Sequence, residues 1–402
     1  MYNLTDRTVV LGVTGSIACY KAVDLASKLT QAGARVEVVM SPEAARFVAP
    51  ITFKGVTGRD AYADMWDAST GLAEPHIALA RAADVLVIAP ATATVIARLA
   101  MGLAEEMVSL TALATRAPVI VCPAMDSQMY TNEAVRQNVE TLRSRGTQVV
   151  GPEEGRLASG QSGLGRFSEV EKIIGGIRYA LGRGGDLAGK KIVVSAGGTH
   201  EPIDPVRFVG NRSSGRMGFS LAEAARDRGA EAVLVAGPVA LSDPYGITVI
   251  HVEQAREMRD AVIEQAASAE ALIMAAAVAD YQPAEPVGHK IKRENSEGLT
   301  LSLVRTPDIL AEVPARPGLI KVGFAAESHE LHANARSKLE SKGLDLIAAN
   351  DITAGDAGFS VDTNRVVIFD RAGGEEEVPL MSKYDVACRI LDRVLQLMKA
   401  RG

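Results

Sequence analysis

At 402 residues, with 47% apolar and 23% charged side chains, the chain is long enough for two or three domains, and its composition excludes extended disorder. A formal net charge of −6 forces no basic face, which excludes a nucleic-acid coat while leaving room for local Lys/Arg pockets for phosphates. The aromatic fraction is only 4% against many Ala, Val, Leu and Gly, a balance that suits buried parallel strands covered by helices.

The elements begin at once. Residues 9–13 are a continuous apolar run, Gly15-Ser16 supplies a turn, and 17–31 has helical periodicity closed by Gly33. A second apolar strand follows at 36–40. Val85–Ala91 is another buried strand, and a helix over 169–180 closes this half. The glycine-rich, polar stretch 182–188 reads as a linker. The opening then recurs: a strand at 191–196, Gly197-Gly198 leading into a long loop, a helix at 219–228 with Gly229 behind it, and a strand at 232–236. The halves share architecture rather than a short repeat. This alternation predicts an α/β chain of two doubly wound, Rossmann-like domains, 1–182 and 183–402.

No leader segment is expected, since the chain runs straight into a strand. The longest apolar stretches, such as 85–91 and 272–279, are too short to span a bilayer. The three cysteines, Cys19, Cys122 and Cys388, lack metal-ligand spacing and read as reduced thiols, so a cytoplasmic protein without membrane contact is expected. Cys19 and Cys122 read as packed residues. His200, His251, His289, His329 and His332 form no metal constellation, and no metal ligands are assigned.

Neither opening is a complete dinucleotide fingerprint. Gly12-x-x-Gly15 lacks the third glycine, and the second strand ends in Ser41, where an acidic residue would grip a ribose diol. A hydroxyl there suits a terminal phosphate, although a plain βα turn would read the same way. Further segments narrow the choice. They are Gly15-Ser-Ile-Ala-Cys-Tyr-Lys21, His76-Ile-Ala-Leu, Ala89-Pro-Ala-Thr92, Pro123-Ala-Met-Asp-Ser-Gln-Met129 and Gly155-Arg-Leu-Ala-Ser-Gly160 with Gly163, Gly165 and Arg166 behind it.

In this order the segments resemble the flavin-dependent cysteine decarboxylases over residues 5–180. The resemblance implies a flavodoxin-like domain that binds FMN through Gly15, Ser16, Ile17, Ser41, Ala89, Thr92 and Ala124. It implies a catalytic His76, substrate contact at Asp126 and Met129, and a glycine-rich clamp carrying Ser159. A cysteinyl carboxylate has no electron sink for decarboxylation, and flavin oxidation of the thiol creates one. The chain departs from the family pattern at two places. Ser159 stands where the clamp usually has a cysteine acid, and Asp126 where asparagine is usual. An ionised aspartate can only accept hydrogen bonds.

The second half resembles the phosphopantothenate–cysteine ligases over residues 189–398. The signature is the long segment from Ser195 to Gly218, which contains Gly197-Gly-Thr-His-Glu-Pro-Ile-Asp-Pro-Val-Arg207 and Asn211-Arg-Ser-Ser-Gly-Arg-Met-Gly218. A loop this long without its own secondary structure would be unusual unless functional. A strand read as ending at Asp280, the basic cluster Lys290-x-Lys292-Arg293, and a helix carrying Lys338 and Lys342 on one face follow in order. The resemblance implies activation of a phosphopantothenate carboxylate by CTP with Mg2+, then displacement of CMP by cysteine. Asn211 is expected to handle the acyl-cytidylate with Arg207 nearby, and Lys290, a further catalytic candidate, is expected around CTP. Ala275, Asp280, Pro307, Asp308, Ile309, Leu310, Phe324, Lys338 and Lys342 are expected around CTP. Glu375-Glu-Glu377 reads as a solvated turn.

Together the halves imply a bifunctional enzyme of coenzyme A biosynthesis that yields 4′-phosphopantetheine. It would form trimers through the flavin half and dimers through the ligase half, closing as a dodecamer. Three readings compete: an NAD(P)-dependent oxidoreductase, an active ligase joined to an impaired flavin half, and a non-catalytic regulatory subunit.

Overall fold

The computed structural model describes residues 4–66, 73–292, 299–327, 330–351 and 361–401. Its contacts divide the chain into two units, Met1–Leu181 and Gly182–Gly402.

In the first unit β1 (Thr8–Val13), β2 (Arg35–Met40), β3 (Ala61–Tyr62), β4 (Val85–Ala91), β5 (Val119–Pro123) and β6 (Gln148–Val149) form a parallel sheet in the order β3-β2-β1-β4-β5-β6. Helices α1 (Cys19–Gln31), α2 (Pro50–Thr57), α3 (Pro75–Ala82), α4 (Ala93–Met101), α5 (Met107–Ala114), α6 (Ser127–Thr131), α7 (Glu133–Ser144) and α8 (Val170–Gly182) connect or flank these strands. The Val/Ile/Leu runs of β1 and β4 are wholly buried because helices cover both sheet faces. The order is that of a dinucleotide-binding sheet. Setting aside β3, which has two residues, leaves the flavodoxin order. A ribbon of β7 (Glu153–Arg156) and β8 (Ser162–Arg166) stands outside the sheet.

The second unit repeats this winding. Here β9 (Lys191–Ala196), β12 (Glu231–Ala236), β13 (Thr248–His251), β14 (Ala271–Met274), β17 (Ile320–Glu327), β18 (Leu346–Asp351), β19 (Thr363–Asp370) and β20 (Glu375–Ser382) build an eight-stranded sheet. Its order is β13-β12-β9-β14-β17-β18-β19-β20, and β19 and β20 are antiparallel additions at one edge. Two small antiparallel ribbons, β10 (His200–Pro202) with β11 (Phe208–Gly210) and β15 (Tyr281–Pro283) with β16 (Leu303–Arg305), lie outside it. The helices are α9 (Arg216–Asp227), α10 (Ala255–Ala266), α11 (Ile309–Glu312), α12 (Leu331–Ser341) and α13 (Lys383–Arg401).

Four expectations need correction. Residues 182–188 do not form a free linker. Leu187 is fully buried and its amide donates to Arg228 O, while glycine at 182 and 185 lets the chain lie against the end of α9. A Cβ at either position would stand 2.3 Å from a backbone oxygen, of Asp227 or Arg228. The apolar run 272–279 is strand only to Met274, six residues short of Asp280. The long loop after β9 contains the β10–β11 ribbon. Glu375-Glu-Glu377 opens β20, with Glu375 paired to His332 and Arg336, so it is no solvated turn.

Candidate active sites

In both units the sheet reverses its winding between the first strand and the fourth, β1/β4 and β9/β14. The glycine- and hydroxyl-bearing turns leave the carboxyl ends of those strands, whereas Lys342 ends α12 on the way into the amino end of β18. Crevices of this kind are where open α/β sheets bind ligands.

In the first unit Thr14 ties the two sides of the reversal together. Its buried hydroxyl donates to Pro90 O at 2.7 Å and accepts from the Thr92 amide at 3.0 Å. Thr92 then caps α4 by accepting from the Val95 amide. The Gly15–Ala18 turn delays α1 until Cys19, two residues later than its periodicity suggests. Gly15 is required by space, since a Cβ there would lie 2.4 Å from Glu43 Cβ. Ser16 Oγ accepts from the Ala18 amide and Ser41 Oγ from the Ala44 amide, which leaves each hydroxyl its proton to donate. Ala89 is buried in β4, Ala124 follows β5 with its amide on Ala91 O, and Ile17 is exposed on the turn. His76 is the second residue of α3, and its Nδ1 is buried with no hydrogen-bond partner among the described residues.

The β7–β8 ribbon is seated on the segment after β5. Met125 donates to Gly165 O, and a Cβ at Gly165 or Gly163 would strike Met125 O at 2.2 Å or Ser127 Oγ at 2.7 Å. At the ribbon tip Ser159 Oγ donates to Asp126 Oδ2 at 3.0 Å, while Asp126 Oδ1 caps α6 through the Gln128 amide. Met125 packs on the core, and Met129 is exposed. Cys122 is buried in β5, where desolvation drives its thiol well above the ordinary range. Cys19 is raised by the same cause, with its Sγ on Thr14 O. Neither thiol is poised as an acid near neutral pH.

In the second unit the chain leaving β14 is held residue by residue by the loop that follows β9. The Ala276 amide donates to Ser195 Oγ at 3.1 Å, and Ala277 to Gly197 O at 2.8 Å. Val278 O accepts from Asn211 Nδ2 at 2.9 Å, and Ala279 donates to Thr199 Oγ1 at 3.0 Å. These bonds, with a single parallel β-bridge between Gly198 and Ala277, carry the backbone from Ala275 to the exposed Asp280. Gly198 lies beneath Asn211, where a Cβ would be 2.6 Å from Asn211 O. Gly215, at φ 72°, caps α9, and Gly218 packs that helix on β9, with a notional Cβ 2.5 Å from Ala196 Cβ. The amino end of α9 therefore faces the β9/β14 reversal, a favourable place for an anion.

Asp280 O accepts from the Thr306 amide, which brings in Pro307 and Asp308. Asp308 caps α11 at Ala311, holding Ile309 and Leu310, and accepts from Lys342 Nζ at the end of α12. Lys338 is exposed one turn earlier, and Phe324 and Ala275 pack at the edge of the core. Arg207 lies in the β10–β11 turn, with Nη2 on Ile291 O at 3.3 Å, so it sits beside exposed Lys290 and Lys292. Arg293 and His329 are outside the described residues. Among the described residues no group of His, Cys, Asp and Glu has the arrangement of a metal site.

Thr14, Ser195, Thr199 and Asp204 were given no role from sequence, because their work is to join segments far apart in the chain. The hydroxyl-rich ends of β1 and β9 were the available signal.

A family model described as Flavoprotein matches residues 1–182, and one described as DNA/pantothenate metabolism flavoprotein C-terminal domain matches 187–398. Over 403 residues, covering 99% of each chain, this chain is 44% identical to the coenzyme A biosynthesis bifunctional protein CoaBC of Bacillus subtilis strain 168. It is 40% identical over 398 residues, 98% of each chain, to the protein of that name from Haemophilus influenzae. Among solved structures, the C-terminal domain of a coenzyme A biosynthesis bifunctional protein CoaBC is 37% identical with a TM-score of 0.46, covering 54% of this chain and 98% of that one. The chain belongs to the family of bifunctional coenzyme A biosynthesis proteins, enzymes that unite a phosphopantothenoylcysteine decarboxylase and a phosphopantothenate–cysteine ligase.

Proposed function

We propose that residues 1–182 perform FMN-dependent decarboxylation of phosphopantothenoylcysteine to 4′-phosphopantetheine, and that residues 183–402 perform the CTP-dependent joining of 4′-phosphopantothenate and cysteine. The observation that carries the reading is that each unit gathers its own motif set at its own sheet reversal.

The first unit fits a flavin mononucleotide. Its edge offers the Ser16 and Ser41 hydroxyls, a turn at Gly15 too close to Glu43 for a side chain, and a buried His76 Nδ1 without a partner among the described residues. Gly15, Ser16, Ile17, Ser41, Ala89, Thr92 and Ala124 would hold the group. Bound there, FMN supplies the two-electron oxidation that gives a cysteinyl carboxylate an electron sink. His76 would move a proton at the reacting end, a role supported by its buried Nδ1, and the Ser159–Asp126 contact holds the ribbon on the segment after β5.

In the second unit the phosphopantothenate carboxylate attacks the α-phosphate of CTP and pyrophosphate leaves. The amine of cysteine then displaces CMP from the acyl-cytidylate. Most of the catalysis is alignment and neutralisation of phosphate charge. Asn211, Arg207 and Lys290 act on the acyl-cytidylate. Ala275, Asp280, Pro307–Leu310, Phe324, Lys338 and Lys342 would surround CTP, whose phosphate charge a bound Mg2+ would share.

The enzyme works in the cytoplasm as a homo-oligomer, with trimers through the first unit. Ile17, Tyr20, Phe47 and Ile51 support this, since all are large, apolar and more than half exposed on or next to α1 and α2. Trimers joined through dimers of the second unit would make a dodecamer.

The deciding experiment is one mass-resolved turnover of the purified protein with phosphopantothenate, cysteine, CTP and Mg2+. Phosphopantetheine is the expected product. Arrest at phosphopantothenoylcysteine would leave only the ligase assignment standing, and no CTP-dependent product would refute the ligase assignment, with supplied phosphopantothenoylcysteine then testing the decarboxylase by itself.

A further inference from the structure

Asp204 is 3% exposed and lies among the cations of the ligase site, yet none of the roles above belongs to it. Both of its oxygens are engaged. Oδ1 accepts from the amides of Val206 at 2.8 Å and Arg207 at 2.9 Å. Oδ2 accepts from the Ile291 amide at 3.2 Å and pairs with Arg207 Nη1 at 3.4 Å. Burial opposes its charge, but the amides of Val206, Ile291 and Arg207 and the Arg207 guanidinium hold the carboxyl below the ordinary aspartate range.

The turn does not need the second oxygen in order to close. Its own backbone closes it, with Ile203 N on Arg207 O at 2.8 Å and Asp204 N on the same oxygen at 3.3 Å. Oδ2 instead reaches 87 residues along the chain to the peptide between Lys290 and Lys292. Arg207 Nη2 takes the carbonyl of Ile291, and Val287 N donates to Ile203 O at 3.0 Å. Two segments bearing Arg207, Lys290 and Lys292 are thereby docked together, although like charges so close repel. The buried carboxylate offsets that repulsion and fixes the spacing.

We propose that Asp204 is a positioning residue of the ligase, pre-organising Arg207 and the Lys290–Lys292 segment around the phosphate charge of the reacting nucleotide. The proposal rests on the assignment of CTP-dependent ligation to this unit. It has two physical consequences. Losing the Oδ2 bonds displaces the cations from the reacting phosphate, which lowers kcat, because a misplacement of about 1 Å can cost about a hundredfold. Binding of cysteine, which enters after activation, is untouched.

Two variants of the full chain separate these effects from loss of fold. Asp204→Asn keeps an acceptor for Val206 and Arg207 but turns an NH2 group toward the Ile291 amide and the guanidinium. Ile291→Pro removes the donor from the other side and leaves Asp204 and its turn intact. Each variant is assayed with CTP, Mg2+, phosphopantothenate and cysteine, and separately with supplied phosphopantothenoylcysteine. In both, ligation kcat is expected to fall about 10- to 100-fold with the KM for cysteine within about twofold and decarboxylation unchanged. In Asp204→Asn trypsin is expected to cut after Lys290 faster than in wild type; in Ile291→Pro, whose Lys290–Pro bond trypsin does not cleave, the faster cut is expected after Lys292. Wild-type kcat in folded Asp204→Asn would overturn the proposal, and so would a fall that merely tracks the unfolded fraction in both variants. A wild-type enzyme that never ligates would instead refute the assignment of ligation itself.

Discussion

The Ser159 hydroxyl donates a 3.0 Å hydrogen bond to Asp126 Oδ2, joining the tip of the β7–β8 ribbon to the amino end of α6. These are the two positions at which the first half departs from the residues its resemblance leads one to expect. The departures suit each other. A carboxylate that can only accept is met by a hydroxyl that donates well, where a thiol would donate weakly. Asp126 keeps its capping bond with its other oxygen, so the pair holds the ribbon down without freeing the helix end.

The acid strength of the ribbon residue can be tested directly. A serine hydroxyl is a far weaker acid than a thiol, whose reference pKa is about 8.5. Ser159→Cys is therefore expected to raise the rate of saturated product formation about tenfold or more, within the range of a general acid. Ser159→Ala is expected to leave ligation untouched and to enrich the unsaturated ene-thiol product. The measurement is the mass-resolved ratio of ene-thiol to phosphopantetheine. A ratio identical in the wild type and both variants would remove Ser159 from the proton path.

Gly15 tests the flavin site by space alone. A methyl group there would lie 2.4 Å from Glu43 Cβ, so Gly15→Ala must shift the turn or the segment after β2, at a cost of about 1–3 kcal/mol. Flavin content per chain is expected to fall with it. Gly55, inside α2 with nothing within 4 Å of its notional Cβ, is the control. Gly55→Ala is expected to stabilise by about 0.5–1 kcal/mol and to keep its yellow colour. Equal flavin occupancy in the two variants would argue against the turn as a flavin contact.

The Asp186–Arg228 pair gives the second unit a defined acid response. The hydrogen bond from Arg228, at 2.6 Å, is the main reason the Asp186 carboxyl lies below its ordinary range. A depressed folded-state pKa means stability that is complete above the unfolded value of about 3.9 and is lost as pH falls through the folded value. Asp186 is half exposed, so the contribution is at most about 1 kcal/mol. Asp186→Asn is expected to lower urea stability at neutral pH, and the gap from wild type should close as pH falls through the depressed folded-state value. A gap that persists in acid would mean that packing, not charge, is responsible.

Much of the framework is legible in the residues. Runs such as 9–13 and 191–196 are buried on both faces, so they must be nearly all apolar, and glycines 33 and 229 mark helix ends through left-handed backbone. What misled was local chemistry answered from far away. Ala275–Ala279 looks like continuous strand because it is apolar, yet after one bridge at Ala277 its backbone groups are taken by the Ser195 hydroxyl at the end of β9 and by Thr199 and Asn211 of the loop that follows. Residues 182–188 look like a linker because they are glycine-rich, yet those glycines allow contact with α9. Glu375 looks solvated until the fold supplies Arg336 and His332. Asp204 drew no notice for the same reason, since its partner Ile291 is 87 residues away.

Asn211 is where the two activities should separate most cleanly. Its Nδ2 donates to Val278 O at 2.9 Å, on the stretch that leads from Ala275 to Asp280, so it both shapes that stretch and faces the reacting centre proposed for the ligase. Asn211→Asp is nearly isosteric but cannot donate, and it places a negative charge against a carbonyl oxygen and beside a phosphate ester. Ligation is expected to fall about 100-fold or more, the scale seen when one preorganised donor is removed from a reacting centre. Asn211→Ala should fall less steeply, because it loses the donor without adding repulsion. In both variants phosphopantothenoylcysteine supplied from outside should be decarboxylated at the wild-type rate, since the first unit carries that chemistry with its own residues. A parallel loss of both activities would mean that Asn211 acts on the fold of the whole chain, and the assignment of one reaction to each unit would have to be given up.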